Sequence, residues 1–519
     1  MDDFEQSDDL LDTTHLELDI TKEKADWLLE EAGKLMPEDP PQITIKKYED
    51  LLNDKVHIII QEVLQENAIS FQLMDFQLLT LHCLGSLKNV VLICPTGAGK
   101  MLCSYLGILV LRKVFGKTKG VALGNQPISA LMEEKLQNPV VRTGLISMKG
   151  DLKTSSDETG DADLTDPIEQ FKKGDIGFII GHSESWLSNT ARDILETLRK
   201  EEQILFSWVD EFQMNLSSHW GKDFRFQLGC ISEHCVNIKM YFRPCMKTVP
   251  GMLRGQSVKQ APTLCMTATA TSSEIEELKR IMGLRDVNTV VLRADPVQSQ
   301  FNIVRVERPP NIRGTSGIEE MDGTVKPGLI QLMKRLMLDD YVQKIKQGLP
   351  VKRSLWLCRN TSDVADLYDE LCEMLPEQAS NPLTCPFVMN HSSVGPISAA
   401  TLRKRRSSIS LYLSTSVMLL GLDLDEVDII GMIRPFNSCH DLLQAAGRGG
   451  RKLGSSEMRR KVVFYILFNR SDISNAVPGL TSEVRELCKT DGCLKMFLSR
   501  MFGFPKKSKT ASDWCCSNC

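Results

Sequence analysis

The residues best suited to chemistry in this sequence form a glycine-rich loop that ends in a lysine. An apolar run at residues 90–93 leads into Cys94-Pro95-Thr96-Gly97-Ala98-Gly99-Lys100-Met101, and an apolar, helix-like segment follows at residues 102–114. In such a turn the glycines let backbone N–H groups point at phosphate, the helix N-terminus favours negative charge, and the lysine reaches the β- and γ-phosphates. A glycine-rich turn without a ligand is disfavoured by the flanking strand and helix. We therefore predict a nucleotide site formed by Pro95, Thr96, Gly97, Ala98, Gly99, Lys100 and Met101.

Met101 stands where a loop of this kind normally has a serine or threonine whose hydroxyl binds Mg²⁺. A thioether is a poor ligand for this hard cation, so the metal must depend on water, phosphate and a carboxylate elsewhere. Asp210 and Glu211 follow an apolar, strand-like run at residues 204–209. In P-loop ATPases an acid at this place holds Mg²⁺ and its neighbour polarises the attacking water, which predicts these roles for Asp210 and Glu211. By itself, the pair fits a solvated strand end equally well.

Two arginines far along the sequence could complete such a site. They belong to Gln444-Ala445-Ala446-Gly447-Arg448-Gly449-Gly450-Arg451, in which Arg448 and Arg451 are three residues apart on a turn after a helix. Arginines in this arrangement can reach across a cleft and neutralise the charge that grows on the γ-phosphate. We predict this role for both, with a solvated arginine pair as the alternative. A sequence that has both the glycine-rich loop and this distant arginine pair is unlike a P-loop kinase with one domain.

Strand-like and helix-like segments alternate twice along the chain, at residues 51–310 and again at residues 329–479. This alternation predicts an α/β protein with two domains, each a parallel sheet covered by helices. Residues 311–328, rich in glycine and charge, are expected to be a linker. Residues 1–50 are expected to form an acidic extension with one peripheral helix, and residues 480–519 a small cysteine-bearing tail.

Composition limits the class of protein. The 519 residues are 42% hydrophobic and 25% charged, which excludes a largely disordered chain or a disulfide scaffold. The net charge of −5 gives no overall positive field, so a nucleic-acid site has to be local. The acidic start lacks the pattern of a secretory signal, and no run reaches the roughly 18 apolar residues of a membrane span. We therefore expect a soluble, intracellular protein without a membrane partner, whose 16 cysteines are mostly reduced.

Together, the loop, the acidic pair and the paired arginines resemble the motifs of superfamily 2 helicases. Ser218-His219-Trp220-Gly221-Lys222-Asp223-Phe224-Arg225 narrows the resemblance to the RecQ family, because it is similar to the aromatic-rich loop that links single-strand binding to ATP hydrolysis there. The resemblance covers residues from about 60 to 519 and implies two tandem RecA-like domains. It also implies that Trp220, Phe224 and Arg225 contact DNA. Gln213 stands where the family has a histidine, which predicts altered transmission between the DNA and ATP sites.

The same resemblance assigns roles to residues that carry little signal alone. It implies that Gln77 reads the adenine of ATP, that Thr267 and Thr269 couple hydrolysis to the DNA strand, and that Thr415 touches the phosphodiester backbone. Without the resemblance, Gln77 would be a surface helix glutamine and the threonines would be turn formers. Leu419 stands where the family usually has glycine.

Cysteines cluster in the tail. The segment that begins at Cys493 and the closing pair of Cys516 and Cys519 resemble the zinc module of RecQ enzymes. Because tetrahedral zinc needs four thiolates, a fourth is required, and either Cys515 or the upstream Cys488 is available. We expect Zn²⁺ on Cys493, Cys515, Cys516 and Cys519, with a group of reduced, metal-free thiols as the alternative.

The function implied by the resemblance is an ATP-dependent 3′-to-5′ DNA helicase that acts in recombination or repair. Its expected cofactors are ATP, Mg²⁺ and Zn²⁺, its expected partners are single-stranded and duplex or forked DNA, and its expected location is the nucleus. One competing hypothesis is a nucleotide- and DNA-binding scaffold that has lost turnover, motivated by Met101, Gln213, Leu419 and the irregular cysteine spacing. A third hypothesis, an RNA helicase of the same superfamily, is disfavoured by the octet around Trp220 and by the cysteine tail.

Overall fold

Two β-sheets, each flanked by helices, form the framework of the chain, and we call each sheet with its helices a lobe. The computed structural model describes residues 22–37, 42–43, 51–126, 141–146, 152–154, 176–182, 185–213, 254, 261–307, 317–319, 325–327, 339–391, 405, 407–415, 424, 427–450, 458–504 and 514–519. The tandem α/β fold predicted from the sequence is confirmed, and it is the architecture of paired RecA-like domains.

The strands of these residues are, in chain order, β1 (Leu35–Pro37), β2 (Asn89–Ile93), β3 (Val121–Asn125), β4 (Thr143–Ile146), β5 (Leu152–Thr154), β6 (Phe178–Gly181), β7 (Ile204–Val209), β8 (Thr263–Thr267), β9 (Thr289–Arg293), β10 (Phe301–Glu307), β11 (Gly317–Glu319), β12 (Val325–Pro327), β13 (Ser354–Cys358), β14 (Phe387–Asn390), β15 (Leu411–Ser414), β16 (Ile429–Ile433), β17 (Met458–Arg460) and β18 (Val462–Phe468). The helices are α1 (Lys22–Glu31), α2 (Asp54–Glu66), α3 (Asp75–Gly85), α4 (Lys100–Phe115), α5 (Asn189–Lys200), α6 (Ser272–Met282), α7 (Asp339–Lys346), α8 (Thr361–Met374), α9 (Pro376–Ala379), α10 (Cys439–Ala446), α11 (Ser482–Lys489) and α12 (Leu494–Met501).

The first sheet has the strand order β5-β4-β6-β3-β7-β8-β2-β9, and its pairs are parallel except for β4 with β5. Strands β2, β3, β7 and β8 are buried along their whole length, as expected for parallel strands covered on both faces. Their carboxyl ends meet at one edge of the sheet, which is where ligands bind in α/β folds of this type.

The second sheet has the order β10-β18-β16-β13-β15-β14, and all of its pairs are parallel. The predicted boundary at residue 310 is wrong for β10, because this strand pairs with β18 over its full length. The first lobe therefore ends before Phe301. The segment predicted as a linker contains an antiparallel hairpin of β11 and β12.

The N-terminal helix α1 is part of the second lobe rather than a peripheral element. Leu28 and Ala32 are buried in the same hydrophobic cluster as strands of the second sheet. Strand β1 then pairs antiparallel with β17, and Lys352 Nζ donates to the carbonyl oxygens of Glu30 (3.0 Å) and Ala32 (2.6 Å) at the end of α1. The prediction of a peripheral helix failed because a short amphipathic helix does not reveal which surface covers its apolar side. Among the described residues, no helix is long and apolar enough to cross a membrane.

Candidate functional site

The glycine-rich loop joins β2 to α4 at the carboxyl edge of the first sheet. Gly97 and Gly99 have φ angles of +78° and +81°, which residues with a side chain rarely adopt. A Cβ at Gly99 would also lie 2.9 Å from Gln77 Nε2. The loop leads directly into the N-terminus of the 16-residue helix α4, where the helix dipole favours an anion. Glycine at these two positions therefore shapes a backbone suited to phosphate.

Lys100 is the first residue of α4 and is buried within the loop. Its Nζ donates to the carbonyl oxygens of Cys94 (2.9 Å) and Pro95 (3.2 Å). These bonds hold the ammonium group beside the loop backbone, at the place from which a P-loop lysine reaches phosphate.

Gln77 supports the loop from the first turn of α3. Its Nε2 donates to the carbonyl oxygen of Gly99 (3.2 Å), and its Oε1 accepts from the backbone N–H of Met74 (2.9 Å). The side chain is buried, so the alternative of a surface glutamine is wrong. Its contact with adenine stays a prediction.

Met101 offers no hydroxyl next to the lysine. Its half-buried side chain packs against the core of the first lobe. Ser104, one turn later, donates to the carbonyl oxygen of Met101 (2.7 Å), and its Oγ lies 3.9 Å from Met101 Sδ. A hydroxyl ligand of the usual kind is therefore absent from this position.

Asp210 follows β7 and presents a buried carboxylate whose two oxygens each accept a hydrogen bond. Oδ2 accepts from Gln126 Nε2 (3.1 Å) and Oδ1 from the backbone N–H of Glu211 (3.1 Å). Gln126 comes directly after β3, the neighbouring strand. These bonds fix the orientation of the carboxylate, so Asp210 fits the Mg²⁺ role predicted for it. Sequence reasoning missed Gln126, although its position after a buried strand was a usable signal.

Glu211 is joined to the end of β8 through Gln213. Glu211 has a φ of +45°, which is uncommon for a residue with a Cβ and is typical of constrained functional positions. Gln213 Nε2 donates to Glu211 Oε2 (2.8 Å), and Thr267 Oγ1 hydrogen-bonds Gln213 Oε1 while lying 3.3 Å from the same Glu211 oxygen. The glutamine at the expected histidine position thus connects the acid to Thr267.

The second lobe meets this site at the turn after α10. A Cβ on Gly447 would lie 2.6 Å from Thr96 Cβ, so the turn packs directly against the glycine-rich loop. Arg448, the next residue, is buried. A second contact with Thr96 comes from Gln298, which lies between β9 and β10 and whose Nε2 donates to the carbonyl oxygen of Thr96 (3.3 Å). The turn that carries Arg448 therefore lies against the loop that carries Lys100, and Asp210 follows β7, two strands from β2 at the same carboxyl edge of the first sheet. Arg451 lies outside the described residues.

The predicted DNA-contacting residues are only partly described. Thr269 Oγ1 lies 2.7 Å from Nδ1 of His440 in the second lobe, a residue that sequence reasoning missed. Thr415 follows β15 and is only 4% exposed, and its Oγ1 makes no hydrogen bond to the described part of the chain. Three of the residues predicted to contact DNA lie outside the described residues, namely Trp220, Phe224 and Arg225, and so does Leu419.

The four tail cysteines predicted to bind zinc lie together. The sulfurs of Cys493, Cys515, Cys516 and Cys519 are all within 4.8 Å of one another. The contacts are 3.6 Å from Cys493 to Cys515, 3.9 Å from Cys493 to Cys516 and 3.4 Å from Cys516 to Cys519. Four thiolates at about 2.3 Å from a tetrahedral Zn²⁺ are roughly 3.8 Å apart, so the donor set fits this metal. The other cysteine considered, Cys488, is buried outside the cluster, in a core where burial raises the pKa of its thiol to about 12.

The cysteine cluster is anchored on the edge strand of the second sheet. Ile303 of β10 donates its N–H to the carbonyl oxygen of Cys515 (3.2 Å), and its carbonyl oxygen accepts from Ser517 N (2.8 Å). Trp514 Nε1 donates to the carbonyl oxygen of Gln300 (2.7 Å) and its ring lies 5.9 Å from that of Trp27 in α1. A metal at the cluster would therefore fasten the tail, β10 and α1 together.

Comparisons with known proteins agree with this fold. No family model matches the chain. It is 20% identical over 447 residues to a Caenorhabditis briggsae protein that bears the name ATP-dependent DNA helicase Q1, covering 84% of this chain and 60% of that one. It is 25% identical over 217 residues to the Arabidopsis thaliana ATP-dependent DNA helicase Q-like 5, covering 42% of this chain and 20% of that one. The chain thus spans less than two thirds of either relative.

A crystal structure of the DUF1998 helicase MrfA bound to DNA and AMPPNP is similar to this chain, with a TM-score of 0.53. The two are 14% identical, and the match covers 85% of this chain and 53% of the other. At this identity the likeness shows a shared fold.

Proposed function

We propose that this chain is the motor of an ATP-dependent DNA helicase similar to RecQ enzymes. The observation that carries the proposal is the contact of Gly447 with Thr96, because it brings Arg448 of the second lobe to the loop that holds Lys100. The names of the two relatives and the DNA and nucleotide bound by the structural neighbour support it.

In this proposal the residues of the interlobe interface divide the work on ATP. Lys100 binds the β- and γ-phosphates, and Asp210 holds Mg²⁺, which supplies charge neutralisation on those phosphates when it is bound. Glu211, oriented by Gln213, positions and polarises the attacking water. Arg448, together with Arg451, neutralises the charge that grows on the γ-phosphate during transfer.

Movement on DNA is proposed to follow from opening and closing of the lobes. Single-strand contacts are assigned to residues near Thr267, Thr269 and Thr415 and to the loop that contains Trp220, Phe224 and Arg225, with Thr267 and Thr269 coupling these contacts to hydrolysis. Contacts of this kind act on phosphate and base faces rather than on base identity, so binding should have low sequence preference and strong salt dependence. The proposed polarity is 3′ to 5′, the proposed substrate is duplex or forked DNA during recombination or repair, and the proposed location is the nucleus.

Steady-state ATP hydrolysis with and without single-stranded DNA tests this function. We expect DNA-stimulated turnover in Mg²⁺ that Lys100→Ala lowers at least about 100-fold, because Lys100 is the side chain of the loop assigned to bind the β- and γ-phosphates. The matched control is Lys200→Ala, an exposed lysine on α5, which should leave the rate unchanged. Retained ATP binding without any DNA-stimulated turnover would contradict the motor.

Strand displacement tests the finer parts of the proposal. A duplex with a 3′ single-stranded tail should be unwound faster than one with a 5′ tail. Preference for an RNA strand over a DNA strand in competition would instead support an RNA helicase.

A scaffold that binds ATP without turnover is the competing function, and Met101 is the observation that favours it. Met101→Ser tests this point, because it restores a hydroxyl beside Lys100. If the missing ligand limits the rate, turnover should rise severalfold and reach saturation at lower Mg²⁺. An unchanged rate and Mg²⁺ dependence would show that Asp210 and its surroundings already hold the metal adequately.

A further inference from the structure

Helix α10 touches the first lobe at both of its ends. At its C-terminal end, Gly447 packs against Thr96 of the glycine-rich loop. At its N-terminal end, His440 Nδ1 lies 2.7 Å from Thr269 Oγ1, and His440 Nε2 lies 3.3 Å from Glu274 Oε1. The eight residues of α10 span about 12 Å, so contacts at both ends fix the position of this short helix against the first lobe.

The partners of His440 restrict the hydrogen bonds that its two ring nitrogens make. A carboxylate only accepts hydrogen bonds, so Nε2–H of His440 donates to Glu274. In the neutral ring Nδ1 is then an acceptor, and the hydroxyl of Thr269 donates to it. Glu274 is itself held by the first turn of α6, because its Oε2 accepts from Thr271 N (2.7 Å) and Thr271 Oγ1 (2.8 Å).

The side chain of His440 is largely shielded from solvent and packs against an aromatic ring. Its side chain is 16% exposed, and its ring meets Phe502 edge to face at a centroid distance of 5.0 Å. The carbonyl oxygen of Phe502 accepts from Arg293 Nη2 of the first lobe (2.6 Å). Burial alone would raise the pKa of Glu274. Its hydrogen bond with His440 and its hydrogen bonds with Thr271 outweigh burial, so the pKa of Glu274 lies below its usual value.

Thr269 connects this contact to the proposed catalytic acid. Its backbone N–H donates to Thr267 Oγ1 (3.3 Å), and that hydroxyl hydrogen-bonds Gln213, which donates to Glu211 (2.8 Å). A hydrogen-bonded path therefore runs from Glu211 in the first lobe to the helix of the second lobe that precedes Arg448.

We propose that His440 is a positioning residue for the ATPase reaction, which sets Arg448 against the nucleotide by fixing α10 to Thr269 and Glu274. The inference rests on the proposed function and deepens it, since it names the residue that makes closure of the lobes depend on the state of Glu211 and Thr267. His440 acts through α10 and does not touch the reacting atoms.

A double-mutant cycle of His440→Ala and Thr269→Val tests the hydrogen bond. Each single change should lower the DNA-stimulated kcat roughly tenfold and leave the KM for ATP within about twofold. The double variant should also fall only about tenfold rather than about 100-fold, because Thr269→Val removes a contact that His440→Ala has already removed. His440→Asn, which retains an acceptor near the Nδ1 position, should recover most of the rate, and His57→Ala, an exposed histidine on α2, is the control. Additive losses, or a loss confined to the KM, would overturn the proposal.

Hydrogen exchange with a non-hydrolysable ATP analogue separates this inference from the proposed function. Binding should protect amides 439–446 in the unaltered protein, and His440→Ala should abolish that protection while amides 95–101 of the loop stay protected. If the unaltered chain binds the analogue but never hydrolyses ATP, the proposed function fails, and the exchange result still decides whether His440 fixes α10 to the first lobe. Equal protection of residues 439–446 in both proteins would overturn it.

Discussion

The glycine-rich loop and the cysteine cluster are both compact candidate binding sites, but they hold their shapes by different means. In the loop, the positive φ angles of Gly97 and Gly99 and the two carbonyl bonds of Lys100 define the geometry from within a short segment. In the cluster, Cys493 is joined to Cys515 and Cys516 through sulfur contacts and through a tail docked on β10. A local backbone shape is encoded by a few neighbouring residues, whereas four thiols at contact distance are best stabilised by a metal.

Of the changes that distinguish the two sites, removal of one thiol of the cysteine cluster should have the largest effect on stability. Cys516→Ser should reduce bound zinc from about one per chain to near zero and lower the free energy of unfolding by roughly 3 kcal/mol, because a zinc ion on the four sulfurs would fasten the tail to β10. The thermal midpoint should then fall by about 6 °C or more. The control is Cys372→Ser, a half-buried thiol on α8 outside the cluster.

Metal analysis and thermal unfolding together decide that prediction. A zinc-free wild-type chain with the same midpoint as Cys516→Ser would show that the four thiols are reduced cysteines without a metal.

The glycine-rich loop should respond to a different change, the addition of a single methyl group. Gly99→Ala should weaken ATP binding roughly tenfold and destabilise the fold by about 1–2 kcal/mol, since the left-handed backbone is strained and the new Cβ meets Gln77. Gly116→Ala is the matched control at the other end of α4, with a φ of +61° and nothing within 4 Å of a Cβ. It should show the stability loss without a change in ATP affinity, measured by titration with a fluorescent nucleotide. Equal affinity losses in both variants would mean that strain in α4, rather than loop shape, controls binding.

The smallest effect on stability is expected from a change at His82 in α3, the helix that supports the loop through Gln77. His82 of α3 is buried, and its Nδ1 accepts from Asn53 N (3.2 Å). Burial, followed by the nearby His57, lowers the pKa of His82 below its usual 6.5. The unfolded chain therefore takes up this proton more readily than the folded chain, so the stability contribution is complete above about pH 6.5 and decreases as the pH falls below it.

His82→Asn isolates that contribution, because the amide oxygen can accept from Asn53 but does not titrate. The thermal midpoint of the wild-type chain should fall more than that of the variant between pH 8 and pH 5.5. Parallel pH profiles would assign the acid sensitivity to other groups.

The parts of the fold and site that were readable from sequence are those determined by neighbouring residues. The strand, glycine turn and helix around Lys100 lie within one short segment, and the alternation of buried strands with helices predicted both sheets. The contact of Thr269 with His440 joins residues 171 positions apart, and that of Gln126 with Asp210 joins residues 84 apart. No periodic pattern connects such pairs, because they are set by how the chain returns to the same edge of a sheet.

The same reasoning explains the errors at the domain boundary and in α1. Strand β10 mixes apolar residues with Asn302, Arg305 and Glu307, a pattern that fits either sheet, and its pairing with β18 assigns it to the second. The choice between Cys488 and Cys515 likewise depended on packing, since both spacings are compatible with four zinc ligands.

Single-turnover hydrolysis of prebound ATP by Arg448→Ala tests most directly whether the two lobes act on one nucleotide. We expect the hydrolysis rate to fall at least about 100-fold while the Kd for ATP changes by no more than about threefold, because the proposed role of Arg448 is to stabilise charge that develops only during transfer. Hydrolysis at the wild-type rate in Arg448→Ala would contradict it.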